Sequence, residues 1–128
     1  VAVLLSDPQR TVGVMCHIVH AVNRRGAHPG DTRYGLAALE RMFELMTAKG
    51  YAATKCQAWL CGGGNMFPQQ VSDKPIGEAN VLWVREQLHR LGMRVVGESV
   101  GGPLYRKVTW TVGSLAPDIE AMPVHVTE

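Results

Sequence analysis

The chain has 128 residues, 46% apolar and 19% charged, an ordinary balance for a single globular core. A formal charge of +2, with no basic run longer than Arg24-Arg25, argues against nucleic acid as a partner. Three cysteines are too few and too odd for a disulfide framework, and no stretch is apolar enough to insert in a bilayer or act as a signal segment. A reduced, cytoplasmic protein fits best.

Val1 to Ser6 is β-rich and stops at the turn signal Asp7-Pro8-Gln9-Arg10. Thr11 to Val19 resumes a strand-like pattern, so residues 1–19 predict a hairpin. The first residue is Val rather than Met and already belongs to a strand pattern, which leads us to expect sequence upstream of it. His20 to Asp31 carries loop chemistry in Asn23, Arg24, Arg25, Gly26, Pro29 and Gly30.

Asp31 or Thr32 is the expected cap of a helix at about 33–49. Its apolar positions Leu39, Met42, Phe43 and Met46 keep helical spacing, and Gly50 is its stop. A strand is expected at about 52–61, closed by Gly62-Gly63-Gly64. A second helix follows at about 77–91, with Val81, Val84, Leu88 and Leu91 on one face and Gly92 as its stop. Met93–Val100 and Tyr105–Val112 are read as a closing pair of strands around Gly101-Gly102-Pro103, followed by a Pro-containing tail from Gly113. The order β-β-α-β-α-β-β across residues 1–128 predicts one domain of the α/β (α+β) class: mixed β-sheet layers with two helices packed on the sheet.

Strand alternation puts His17 on one face with Met15 and Val19, and Cys16 with Ile18 on the other. Adjacent Cys16 and His17 therefore cannot form a Cys–His catalytic pair, which needs the imidazole within hydrogen-bond reach of the sulfur. From the residues alone, His17 reads either as a core histidine or as a catalytic one. Cys61, ahead of three glycines, reads either as a nucleophile beside an anion-binding nest or as a small buried hydrophobe; Cys56 reads as core. No zinc spacing is present among the cysteines and five histidines, so no metal is expected. The glycine run lacks the residues of a nucleotide loop. His28 reads as solvated, and His89 lies on the exposed side of the second helix. Trp59, Trp83 and Trp110 fall on three elements and read as core or interface rather than as a stacking platform.

Several segments, in order, resemble the chemoreceptor glutamine deamidase family (CheD) of chemotaxis proteins. They are Val1-Ala2-Val3 with Asp7-Pro8, Gly13, Met15 and His17; Arg33-Tyr34-Gly35; Gly62-Gly63-Gly64-Asn65-Met66; Ile76-Gly77-Glu78-Ala79-Asn80; and Gly101-Gly102 with Arg106-Lys107-Val108. This sequence departs from the family pattern at Cys16, Leu36, Ala79 and Pro103-Leu104.

The resemblance implies that His17 is the catalytic histidine and that the nucleophilic cysteine stands immediately before Val1. It also implies that Gly63, Gly64 and Asn65 line the cleft for a protein substrate. The implied reaction converts glutamine to glutamate on methyl-accepting chemotaxis receptors without a cofactor, and a chemotaxis phosphatase is the implied regulatory partner. A member lacking the nucleophile would instead be an inactive binding module for that phosphatase.

Overall fold

The computed structural model describes residues 1–22, 25–64, 76–113 and 116–123. The elements run β1 (Ala2–Ser6), β2 (Gly13–His17), α1 (Gly35–Ala48), a 3-10 turn (Ala53–Lys55), β3 (Gln57–Gly62), α2 (Ile76–Arg90), β4 (Arg94–Val100), β5 (Leu104–Thr109) and β6 (Asp118–Pro123). Four strands make a mixed sheet in the order β2-β1-β3-β4. The β1 strand is antiparallel to both neighbours and β3 is parallel to β4, while β5 and β6 form a separate antiparallel pair. The architecture is α+β, as the sequence predicts.

The expected hairpin of β1 and β2 is present. Its turn is organised by the buried Asp7 carboxylate, which accepts hydrogen bonds from the Thr11 amide (2.7 Å), the Thr11 hydroxyl (2.7 Å) and the Val12 amide (2.9 Å). These charge-assisted bonds fix the register, which pairs Ala2 with His17 and Ser6 with Gly13.

Alternation along β1 builds two cores. Val3 and Leu5 point with Ala58 and Leu60 toward both helices, where α1 contributes Ala38, Leu39, Met42 and Met46 and α2 contributes Val81, Val84 and Leu88. Leu4 points the other way with Trp59 and Cys61, against Val108, Trp110 and Ile119 on the side of the β5–β6 pair. The helices thus cover one face of the mixed sheet and the small sheet covers the other. Cutting a fully buried side chain such as Leu88 back to Ala removes about 2–5 kcal/mol.

Four expectations change. Neither Asp31 nor Thr32 caps α1: its N-cap is Tyr34, with no side-chain bond, because the Asp31 carboxylate is engaged by the Arg33 amide (3.0 Å) and guanidinium. The third strand begins at Gln57 instead of residue 52, since the chain first makes a 3-10 turn closed by the Cys56 amide on the Ala53 carbonyl (3.0 Å). Leu91 lies past the end of α2 and is 43% exposed. Lastly, β4 and β5 do not pair. The left-handed Gly101 and Gly102 (φ 77° and 70°) carry the chain off the mixed sheet, so that β4 pairs with β3 and β5 pairs with a strand in the expected tail, β6. The glycine stops hold: Gly50 and Gly92, both at positive φ, end the helices with Tyr51 and Met93 amides bonded back to Met46 and Leu88.

Candidate functional site

A pocket of about 510 Å³ opens where the ends of β1, β2 and β3 meet the first turn of α2 and the inward row of β5. His17 stands on its wall. The β1 register places His17 and Cys61 on opposite sides of Ala2, so one row across three strands reads His17, Ala2, Cys61 on a single face. His17 is exposed rather than a core histidine. Partial burial pushes its pKa below the ordinary histidine value. That shift favours the uncharged form of the imidazole, the form able to accept a proton.

The two pocket cysteines differ from a reactive thiol. Cys16 packs on the helix-facing core, opposite to His17, as alternation requires, and burial raises its pKa to about 11. Cys61 shares the His17 face but is 1% exposed, with Ala2 between it and the imidazole. Burial raises its pKa too, against a weaker opposing pull from Arg106. Its strand is paired on both sides, with Ala2 and with Ser99, which leaves no open nest at Cys61 itself. Cys56 is buried in the helix-side core.

Gly63 and Gly64 both line the pocket; Asn65 lies outside the described residues. The physical need for glycine here is close packing within the chain. A Cβ on Gly63 would strike Val81 and approach the Gly77 carbonyl to 2.9 Å, and one on Gly64 would strike the Leu104 carbonyl. The two glycines let α2 and β5 close over the end of β3.

Two site residues escape a reading based on motif and alternation. Asn80, 4% exposed, accepts from the Ala21 amide (2.8 Å) and donates to the Val19 carbonyl (2.9 Å), clasping the chain just after His17 to α2. Arg106 reaches from β5 to the Gly62 carbonyl (3.3 Å) and so ties the small sheet to the end of β3. Both belong to short segments that carry the family resemblance, and that was their only signal in the sequence. Exposed Met15, Val19, Ile76 and Tyr105 surround the pocket with apolar surface. Among the described residues no three His, Cys, Asp or Glu side chains gather as a metal site, and no helix is long and apolar enough to cross a membrane.

These features define a layered α+β domain with an accessible imidazole in an apolar-rimmed pocket between its two sheets. A family model described as CheD chemotactic sensory transduction matches residues 20–119, and the chain belongs to that family. It is 29% identical over 109 residues to a protein of Methanococcus maripaludis named probable chemoreceptor glutamine deamidase CheD, spanning 85% of this chain and 71% of the other. Proteins of the same name from Geobacillus kaustophilus and Pseudomonas fluorescens are 34% and 32% identical, over 80% and 84% of this chain and 65% and 63% of theirs.

Proposed function

We propose that residues 1–128 are the deamidase domain of a cytoplasmic protein-glutamine deamidase that converts glutamine to glutamate on methyl-accepting chemotaxis receptors. His17 is its catalytic histidine, and the nucleophilic cysteine is the residue immediately before Val1. The observation that carries this reading is the strand register beside His17. The Val1 nitrogen donates to the Ile18 carbonyl (3.1 Å) and the Ile18 amide donates to the Val1 carbonyl (2.8 Å), which extends the β1–β2 ladder one rung beyond Ala2 and His17. Alternation then directs a preceding side chain to the His17 face, diagonally across the strand pair, a separation that side chains on paired strands can bridge.

In this reaction His17 takes the thiol proton and the thiolate attacks the carboxamide carbon of the glutamine. The proton passes to the departing ammonia as the carbon–nitrogen bond breaks, leaving a thioester. His17 next takes a proton from water, the hydroxide displaces the thiolate to leave glutamate, and the thiol is restored. Gly63, Gly64 and Asn65 are proposed to line the substrate cleft. The apolar rim of Met15, Val19, Ile76 and Tyr105 supports a protein segment rather than a small polar molecule as substrate. A chemotaxis phosphatase is the proposed regulatory partner.

The test is ammonia release from a purified receptor fragment by the full-length protein and its His17→Ala variant. A fall of about 10²-fold or more is expected, the scale of general acid–base catalysis. Unchanged release would remove His17 from the mechanism. A folded full-length protein that binds the phosphatase and never releases ammonia would replace the enzyme reading with that of a binding module.

A further inference from the structure

Arg106 is a cation on the wall of the pocket. It is half-buried on the inward row of β5, between Leu104 and Val108, and all three side chains face the mixed sheet. Its guanidinium donates from Nε to the Ser99 hydroxyl (3.0 Å), from Nη1 to the Gly62 carbonyl (3.3 Å) and from Nη2 to the Gly101 carbonyl (2.9 Å). All three acceptors are neutral. By contrast Arg33, Arg41, Arg85 and Arg90 each hold a carboxylate.

Among the described residues no carboxylate pairs with this guanidinium, so its charge is not cancelled there. Three of its five N–H groups are spent on dipoles that fix the plane of the fork, and two remain. A fork held rigid by neutral acceptors, in a pocket with apolar walls, is preorganised for a planar anion.

We propose that Arg106 forms a carboxylate subsite in this pocket and makes the protein prefer segments that present an acidic group there. The carboxylate has two sources: an acidic side chain next to the reacting glutamine, or the glutamate that the reaction creates. The first would make Arg106 a specificity residue and the second a source of product retention. The identity of the reacting group rests on the deamidase reading; the carboxylate subsite is a binding property and is measured without turnover.

The test uses three peptides of one sequence. The first has a central Gln beside a Gln, the second a central Gln beside a Glu, and the third a central Glu beside a Gln. Affinities are read from Trp fluorescence with the unaltered protein, Arg106→Lys and Arg106→Gln. One of the two acidic peptides is expected to bind about tenfold more tightly than the neutral one, the scale of one charge-assisted pair. The preference should shrink in Arg106→Lys and vanish in Arg106→Gln, and which acidic peptide is favoured identifies the source. Equal affinity for all three, or a preference that survives Arg106→Gln, overturns the subsite.

Because the same guanidinium ties the β4–β5 turn, the Gln variant can lose its fold. The unaltered protein therefore supplies an independent reading: the Arg106 Nε–H resonance must shift with the favoured acidic peptide and not with the neutral one. A resonance indifferent to both acidic peptides equally refutes the proposal. Absence of ammonia release alongside an intact Arg106-dependent preference would count against the deamidase reading alone.

Discussion

The side-chain amide of Asn80 donates a 2.9 Å hydrogen bond to the Val19 carbonyl, two residues beyond His17, while its oxygen accepts from Ala21 at 2.8 Å. One buried side chain on α2 thus sets the exit path of the strand that carries the imidazole. Asn80→Ala leaves a backbone donor and acceptor without partners and is expected to lower stability by about 1–3 kcal/mol. Urea unfolding measures that loss. On the proposed deamidase reading, kcat of the full-length protein should fall more than KM rises, since the substitution displaces His17 and leaves the pocket rim in place; an unchanged kcat would separate the clasp from catalysis.

The lowered pKa of His17 fixes the sign of two pH effects. With His17 as the proposed general base, its uncharged form is the one that acts, so the acid limb of kcat/KM should have its midpoint below 6.5 and activity should rise through it with pH. In the window between the folded value and 6.5 the unfolded chain binds more protons, so the stability due to this group is lost as pH falls through that window. An NMR titration of the His17 ring reads the midpoint directly, and a value at or above 6.5 contradicts both.

Burial alone would raise the Asp7 pKa, but hydrogen bonds from the Val12 amide and the Thr11 hydroxyl and amide outweigh it and hold the carboxyl below its ordinary value. The stability it confers is complete above the ordinary value of 3.8 and is lost as pH drops through the lower folded value. Asp7→Ala strands the donors of the turn and is expected to cost about 1–3 kcal/mol at neutral pH. Asp7→Ala should also flatten the acid end of the stability curve, which denaturant midpoints at several pH values would show.

With its pKa near 11, Cys16 should resist alkylation at pH 8, where about one molecule in a thousand carries the thiolate. Its labelling rate should climb roughly tenfold per pH unit until the protein unfolds. Peptide mapping after iodoacetamide treatment checks this, and rapid modification of native Cys16 at pH 8 would show that the core around it opens.

Gly13 sits under the small sheet, where an added Cβ would lie 2.5 Å from the Trp110 ring and 2.6 Å from Val112. Gly13→Ala should destabilise by about 1–3 kcal/mol through overpacking. The emission of Trp110 should shift to the red as the ring is pushed toward water. Unchanged emission and stability would mean that the β5–β6 layer yields at no expense.

Much of this arrangement is visible in the sequence where periodicity is local. The alternation of Val14, Met15, Cys16 and His17 separates the thiol from the imidazole, and the spacing of Met42 with Met46 and of Val84 with Leu88 locates both helix faces. The pairing of β5 was not legible, because its partner Asp118–Pro123 presents Ile119 as its clear inward apolar residue and ends in proline. Cys61 reads as a strand end, yet β1 closes one of its sides and parallel pairing with β4 closes the other, and parallel pairing leaves no mark on either strand alone. Asn80 and Arg106 are ordinary helix and strand residues until residues 59 and 44 positions away are brought against them.

That distance along the chain also governs when the pocket comes into being. Its walls come from the first strand, the end of β3, the start of α2 and the inward row of β5. No short contiguous segment contains it, and closing such long loops is a slow and entropically uphill part of folding. A nascent or partly folded chain that has formed β1, β2 and α1 already displays His17 but has no cleft around it. Ligand binding should therefore appear only in the last kinetic phase of refolding, which makes the pocket a natural reporter of a completely folded molecule.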